Sequence, residues 1–195
     1  MAATESLMQA LGGEAPAFDL ITSNPWADQL TKNTRAFEDY PDAKVFVVIF
    51  TCNHCPYAIH VEQTVVDVAN EYAGKGVQFI AISSNDATKY PADSFEKMSE
   101  RARALNFPFP YLYDETQQIA RAYGAVCTPD IFVYDHARIL KYRGRFDETR
   151  PGMGTAHGGE LKAAMDQVLE SGDGPEKQYP SIGCSIKWLP ENTAG

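Results

Sequence analysis

Two cysteines three residues apart, Cys52-Asn53-His54-Cys55, stand between the apolar run Val45-Phe46-Val47-Val48-Ile49-Phe50 and a stretch with helical spacing. That position constrains the chain strongly. A buried strand followed directly by a helix puts one sulfur at the helix N-terminus and the other within a turn of it. Free backbone N–H groups and the helix dipole there favour a thiolate, and the thiolate is the reactive form of cysteine. A structural zinc site would need a second ligand pair at close spacing. Cys127 and Cys184 are single and far apart, and the histidines are His54, His60, His136 and His157. A permanent disulfide across so small a loop would constrain the unfolded chain little. The pair is therefore expected to cycle between dithiol and disulfide.

The rest of the sequence is expected to form one domain over 1–195, with a tail or short helix over 1–16 and a C-terminal extension over 172–195. With 195 residues, 44% of them hydrophobic, the chain can bury a substantial core. Net charge −9 argues against nucleic acid or an anionic membrane as partner. No apolar stretch reaches transmembrane length. Met1–Ser6 has no basic and apolar leader pattern, so cytoplasmic is the default expectation.

Strands and helices are expected to alternate. Ala17–Leu20 reads as an edge strand, 24–43 mostly as loop, and Lys44–Phe50 as a strand buried on both faces. Val61, Val65, Val68 and Tyr72 mark a helix that Gly74 and Gly76 end. Val77–Ser83 is the next strand, making a right-handed parallel unit with the first. Asp93, with Glu96 three residues on, reads as the N-cap of a second helix whose buried side is Phe95, Met98, Ala102 and Leu105. Tyr111–Tyr113 reads as a short strand and Thr116–Tyr123 as a short helix closed by Gly124. Ile131–Tyr134 and Ile139–Arg143 read as a hairpin, and Leu161–Leu169 as the last helix. Arg143, Arg145, Asp147 and Glu148 are expected at the surface. The glycine-rich 152–159 segment is a loop before the last helix, since it does not spell a nucleotide-binding pattern.

Ala15-Pro16-Ala17-Phe18-Asp19-Leu20, Phe107–Pro110 with Tyr113-Asp114, Ala122–Ala125, Thr128-Pro129 and Phe132–Asp135 resemble the AhpC/TSA branch of the thioredoxin-like superfamily. Cys52–Pro56 and Gly183-Cys184-Ser185-Ile186-Lys187-Trp188 resemble bacterial thioredoxin-family proteins that carry both motifs. The resemblance implies an α/β thioredoxin fold: three α/β/α layers around a mixed sheet, with an N-terminal extension and a helical insertion.

The branch holds peroxidases and thiol–disulfide oxidoreductases. Cys55-Pro56 resembles the peroxidatic pair, but Cys52 stands where a peroxidase has threonine and Pro129 where it has arginine. Thiol–disulfide exchange is therefore favoured, with thiol-dependent peroxidase the alternative. Copper or zinc delivery ranks third, because copper carriers of this fold use a longer C-x-x-x-C pair with a distal histidine, and His136 sits in a hairpin turn.

On the favoured reading Cys52 attacks and Cys55 resolves. Asn53, His54, Pro56, Thr128 and Pro129 tune the pair or shape its groove. Thr128-Pro129 resembles the cis-proline turn whose backbone pairs with a bound substrate strand. His54 is placed to stabilise the Cys52 thiolate, whereas His60 and Glu62 read as solvated. Cys127 is either a small buried residue or a third redox thiol, and Cys184 is open in the same way. The buried acid that thioredoxins keep six residues before the first cysteine is absent, because Phe46 is there. No cofactor or metal beyond the redox-active disulfide is expected. The implied partners are a protein or small-molecule disulfide or thiol and a thiol electron donor.

Overall fold

The computed structural model describes residues 3–193. Val45–Phe50 forms β4, and every residue of it is buried, which is why the run is apolar without alternation. Its side chains still alternate between faces. Val45, Val47 and Ile49 face one core and Phe46, Val48 and Phe50 the other. Around β4 the strands run in the order β3 (Thr34–Arg35), β2 (Leu20–Thr22), β6 (Tyr111–Tyr113), β5 (Val77–Ser83), β4, β8 (Asp130–Asp135), β9 (Leu140–Gly144). Pairing is parallel from β4 through β5 to β6 and antiparallel at β2, β3, β8 and β9.

Helices α1 (Pro56–Tyr72), α2 (Phe95–Ala104) and α4 (Gly159–Ser171) cover the first face; α3 (Gln118–Tyr123) and Phe37 cover the second. This is the three-layer mixed α/β arrangement of the thioredoxin fold. Gly76 and Gly124 close their helices in the left-handed conformation, at φ 82° and 61°. Among the described residues, no helix is long and apolar enough to cross a membrane.

Several expectations are corrected. Ala3–Glu5, expected within a tail or short helix, is strand β1, paired with β10 (Ile182–Ser185) in the C-terminal extension. β10 in turn pairs with the two-residue β7 (Cys127–Thr128). Residues 12–15 run along the free edge of β9, exchanging backbone hydrogen bonds with Arg138 and Leu140, so that edge is not left open. The strand expected at Ala17–Leu20 lies at Leu20–Thr22 and is not an edge, because β3 and β6 pair with it on either side. The N-cap of α2 is Ser94, whose Oγ accepts from the Lys97 N–H, and Asp93 is released for another role. Within the expected 24–43 loop, Arg35 is buried and donates to Asp28.

Of the four charges expected at the surface after the hairpin, Arg143 and Asp147 are buried, Arg145 is half-buried and Glu148 is exposed. Asp147 accepts backbone N–H bonds from Thr149, His157 and Gly158, which fixes the loop before α4. Arg143 and Asp130 form a fully buried pair at 2.9 Å. The guanidinium also donates to the Gly124 carbonyl and lies over the Phe132 ring, since Arg143 and Phe132 face each other in the β8–β9 register.

Burial pushes the Asp130 carboxyl up to about 6 against the pull of Arg143. A carboxyl raised in the folded state contributes stability that is complete below its unfolded pKa, near 3.9, and is lost as pH rises through the folded value. Removing Arg143 strengthens that effect. Arg143→Met should therefore cost about 3–5 kcal/mol at pH 7.5, the range for a buried charge stripped of its partner, with part of the loss regained at pH 5. Urea unfolding at both pH values measures it; an equal deficit at the two would show that Asp130 charge is not its source.

Candidate active site

The site is built where β4 runs out. The Thr51 N–H still bonds to the Ile82 carbonyl; after it the chain turns through Cys52, Asn53 and His54 into α1. Cys55 is the helix N-cap and Pro56 the first helical residue, a place where the missing proline N–H is not needed. Cys52 is 3% exposed and Cys55 fully buried. Both are reduced.

A single residue touches both sulfurs. The Thr128 Oγ1 lies 3.4 Å from Cys52 Sγ, and the Thr128 carbonyl lies 3.1 Å from Cys55 Sγ. The Thr128–Pro129 bond is cis, as the resemblance implies. β10 adds a third sulfur, because Cys184 stands opposite Thr128 in the β7–β10 register. Cys52, Cys55, Ala58 and Cys184 pack as one cluster with Tyr57 against it.

These contacts distribute charge unevenly. Cys55 is held down at about 4, first by the Cys52 S–H donated to it, then by Cys184, Thr128 and the Ala58 backbone N–H at the helix start, with burial opposing. Cys52 is raised because it donates to Cys55, because it is buried, and because the Asp93 carboxylate is near. Cys184 is pushed up to about 12 by burial and by the charge on Cys55. Of the three clustered thiols, Cys55 is the one pushed down.

Asp93 is the residue that sequence reasoning missed. Its side chain is wholly buried. It accepts the Asn53 backbone N–H at 2.8 Å, the Asn85 side-chain amide at 2.7 Å and the His54 Nδ1–H at 2.6 Å. A carboxylate only accepts hydrogen bonds, so the Nδ1 proton is fixed and Nε2 is left without a protein partner. The His54 ring is stacked on Tyr90, centroids 5.0 Å apart. One nitrogen of His54, one oxygen of Asp93 and the Cys52 sulfur all lie within 4.8 Å of one another. These three could hold a metal ion if it displaced the Nδ1 proton. A signal for Asp93 was present: with Phe46 in place of the usual acid and Ser94 able to cap α2, the neighbouring aspartate was free.

The other expected residues fall into place around this. Asn53 donates its amide to the Ala92 carbonyl and accepts the Tyr111 hydroxyl, bracing the turn. Cys127 is buried, with its sulfur 3.8 Å from the Pro129 carbonyl and outside the cluster of the other three; burial and the nearby Asp130 charge push its thiol up. His136 lies in the β8–β9 turn. His60 and Glu62 are not solvated as expected: His60 bonds Thr149 Oγ1, and Glu62 pairs with Arg101. His60, Tyr57, Arg150 and Pro129 line a cleft of about 170 Å³ beside the site. The backbone at Thr128, where the resemblance implies that a substrate strand pairs, is already paired with β10.

No curated protein matches the chain. Among solved structures, an uncharacterized conserved protein from Geobacillus kaustophilus is 48% identical, with a TM-score of 0.90 over 97% of this chain and 98% of that one. A hypothetical protein from Sinorhizobium meliloti 1021 is 39% identical at the same TM-score, over 96% and 99%. A thiol:disulfide interchange protein of the thioredoxin family from Chlorobium tepidum shares the fold at 17% identity, with a TM-score of 0.60 over 83% and 99%. Residues 11–143 match the AhpC/TSA family model, so the chain belongs to the AhpC/TSA family, a branch of the thioredoxin-like superfamily.

Proposed function

We propose that the protein is a thiol–disulfide oxidoreductase working through Cys52 and Cys55. The observation that carries this reading is the shared hydrogen bond of a reduced pair at the start of α1, with the His54–Asp93 couple set against the outer sulfur. Cys52 is the member of the pair with any exposure, so a substrate disulfide meets it first. Its proton passes to the His54–Asp93 couple, one nitrogen and one oxygen of which lie within 4.8 Å of the sulfur. The Cys52 thiolate then attacks one substrate sulfur, forming a mixed disulfide and expelling the other half as a thiolate, which takes up the proton. Cys55, whose thiol is pushed down, attacks Cys52 Sγ and releases the second thiolate. The substrate gains two electrons and the Cys52–Cys55 disulfide forms. A thiol electron donor reverses the sequence on the protein.

One observation favours a second reading. The thiol that is pushed down is Cys55, the residue in the peroxidatic position. There a peroxide would be cut by Cys55 to give a sulfenic acid and an alcohol or water, and Cys52 would condense with it, releasing water. The absence of the threonine and arginine of the peroxidase pattern counts against this route.

Disulfide reduction and peroxide consumption measured side by side separate the two. Cys55→Ser should accumulate mixed disulfides through Cys52. A Cys52→Ser variant that still consumes peroxide, from a protein with no disulfide exchange, would establish the peroxidase instead.

Because Cys52, Cys127 and Cys184 are all raised, the thiolate absorbance appearing below pH 7 belongs to Cys55. Cys52→Ala removes its principal donor and should move that titration from about 4 by at least a unit towards the ordinary thiol value near 8.5. An unmoved titration would mean that Cys52 does not support the charge.

Asp93→Asn bears on the base. It frees the His54 tautomer and should slow exchange on the order of 10²-fold. It also removes a charge that raises Cys52, so a faster reaction at pH 7 would show that Asp93 acts on the sulfur directly and not through His54.

A further inference from the structure

We propose that Cys184 is a third redox thiol: Cys55 pairs alternately with Cys52 and with Cys184, and exchange between the two disulfides moves the oxidised bond from the dithiol onto the C-terminal strand. This rests on the reading above, since the Cys52–Cys55 disulfide is its starting point.

The geometry is that of a shared central sulfur. Cys52, Cys55 and Cys184 lie in one buried cluster, and both Cys52 and Cys184 act on the Cys55 thiol to push it down. β10 holds Cys184 there by its pairing on both edges, with β1 through Ala3 opposite Cys184 and with β7 through Thr128 opposite Cys184. The close approach depends on Gly183, where an added Cβ would collide with the Thr128 carbonyl.

Beyond β10 the chain is fixed at four further points. Ile186 N–H donates to the Val126 carbonyl, Lys187 N–H to Asn85 Oδ1, Asp86 N–H to the Lys187 carbonyl, and Leu189 N–H to Gln117 Oε1. Asn85 thus grips the C-terminal segment with its oxygen and Asp93 with its amide. Cys184 is a built member of the site, held opposite Thr128 on the cis-proline loop.

The step balances without an outside reagent. The Cys184 thiolate attacks Cys55 Sγ of the Cys52–Cys55 disulfide; the Cys55–Cys184 bond forms, the Cys52–Cys55 bond breaks, and Cys52 leaves as a thiolate that receives the proton Cys184 gave up. No electrons enter or leave. The charge on Cys55 helps to keep Cys184 protonated in the reduced protein. Once Cys55 is in a disulfide that charge is gone, so the incoming thiol is freer to ionise when its target exists. The outcome is a Cys52 returned to its reactive form while the oxidised bond waits at Cys184 for the donor.

The test is disulfide mapping. Wild type, Cys52→Ser and Cys184→Ser are oxidised with diamide, blocked by alkylation, digested without reductant and analysed by mass spectrometry. Cys52→Ser should place more than half of its Cys55 in a Cys55–Cys184 peptide; Cys184→Ser should form Cys52–Cys55 alone; wild type should contain both. A Cys52→Ser protein whose Cys55 and Cys184 remain free, beside a wild type that forms Cys52–Cys55, overturns this inference and leaves the oxidoreductase reading standing. A wild type that forms no Cys52–Cys55 bond overturns both. Far-UV circular dichroism of each variant confirms that the strand framework is intact, and Cys127, outside the cluster, should remain alkylated throughout.

Discussion

The site depends on one contact, that of Thr128 with the β4–α1 junction. Its hydroxyl meets Cys52 and its carbonyl meets Cys55. The junction needs β4 in the centre of the sheet, so that the turn after it projects the two cysteines beyond the strand ends. The loop at Thr128 needs β8, paired antiparallel along the whole of β4, to carry residues 127–129 back to the same place. Asp130 opens β8 and is anchored by Arg143 on β9. The buried ion pair thus stands one residue beyond Pro129 and fixes the end of the loop that touches the sulfurs.

The electrostatics follow from burial. A buried carboxylate is tolerated when donors surround it, and Asp93 has three, two from the adjacent Asn53 backbone and His54 ring and one from the Asn85 amide. The acid that Phe46 displaces from β4 is supplied from the start of α2 instead. The two arrangements differ in what the acid can do. An acid on β4 would reach the sulfurs from beneath, whereas Asp93 approaches Cys52 from the side of His54 and fixes which ring nitrogen carries the proton.

Much of this was legible in the sequence, for physical reasons that can be named. Val45–Phe50, Val77–Ser83 and the hairpin are strands buried deeply enough to show as apolar runs, and α1 shows its stripe because one face lies on the sheet. The pair Cys52 and Cys55 and the cis bond at Pro129 follow from the motif and the resemblance. The misses share a cause, which is that their partners are distant in sequence. Asp93 meets His54 across 39 residues, and its neighbour Glu96 offered a local explanation that suited a helix start. Arg143 stands between Lys141 on β9 and Arg145 just beyond it and so looks like surface charge, yet the register puts it over Phe132 and within reach of Asp130. β10 has four residues, one a glycine, and no periodicity to read. It is a strand only because β1 and β7 flank it.

That last strand changes what the fold can offer a substrate. An unpaired edge invites pairing with another chain, and in the thioredoxin fold the edge beside the cis proline is where a substrate strand would add. Here β10 and β1 fill it, and the anchors at Asn85, Asp86 and Gln117 keep them there. On the proposed function, recognition cannot come from backbone pairing at Thr128. The approach left open lies on the other side of Pro129, where Tyr57, which packs on the thiol cluster, shares a cleft with His60 and Arg150. A closed edge and a resident third sulfur are then two consequences of one structural choice. The strand that excludes a foreign chain from the loop is the strand that brings Cys184 to Cys55.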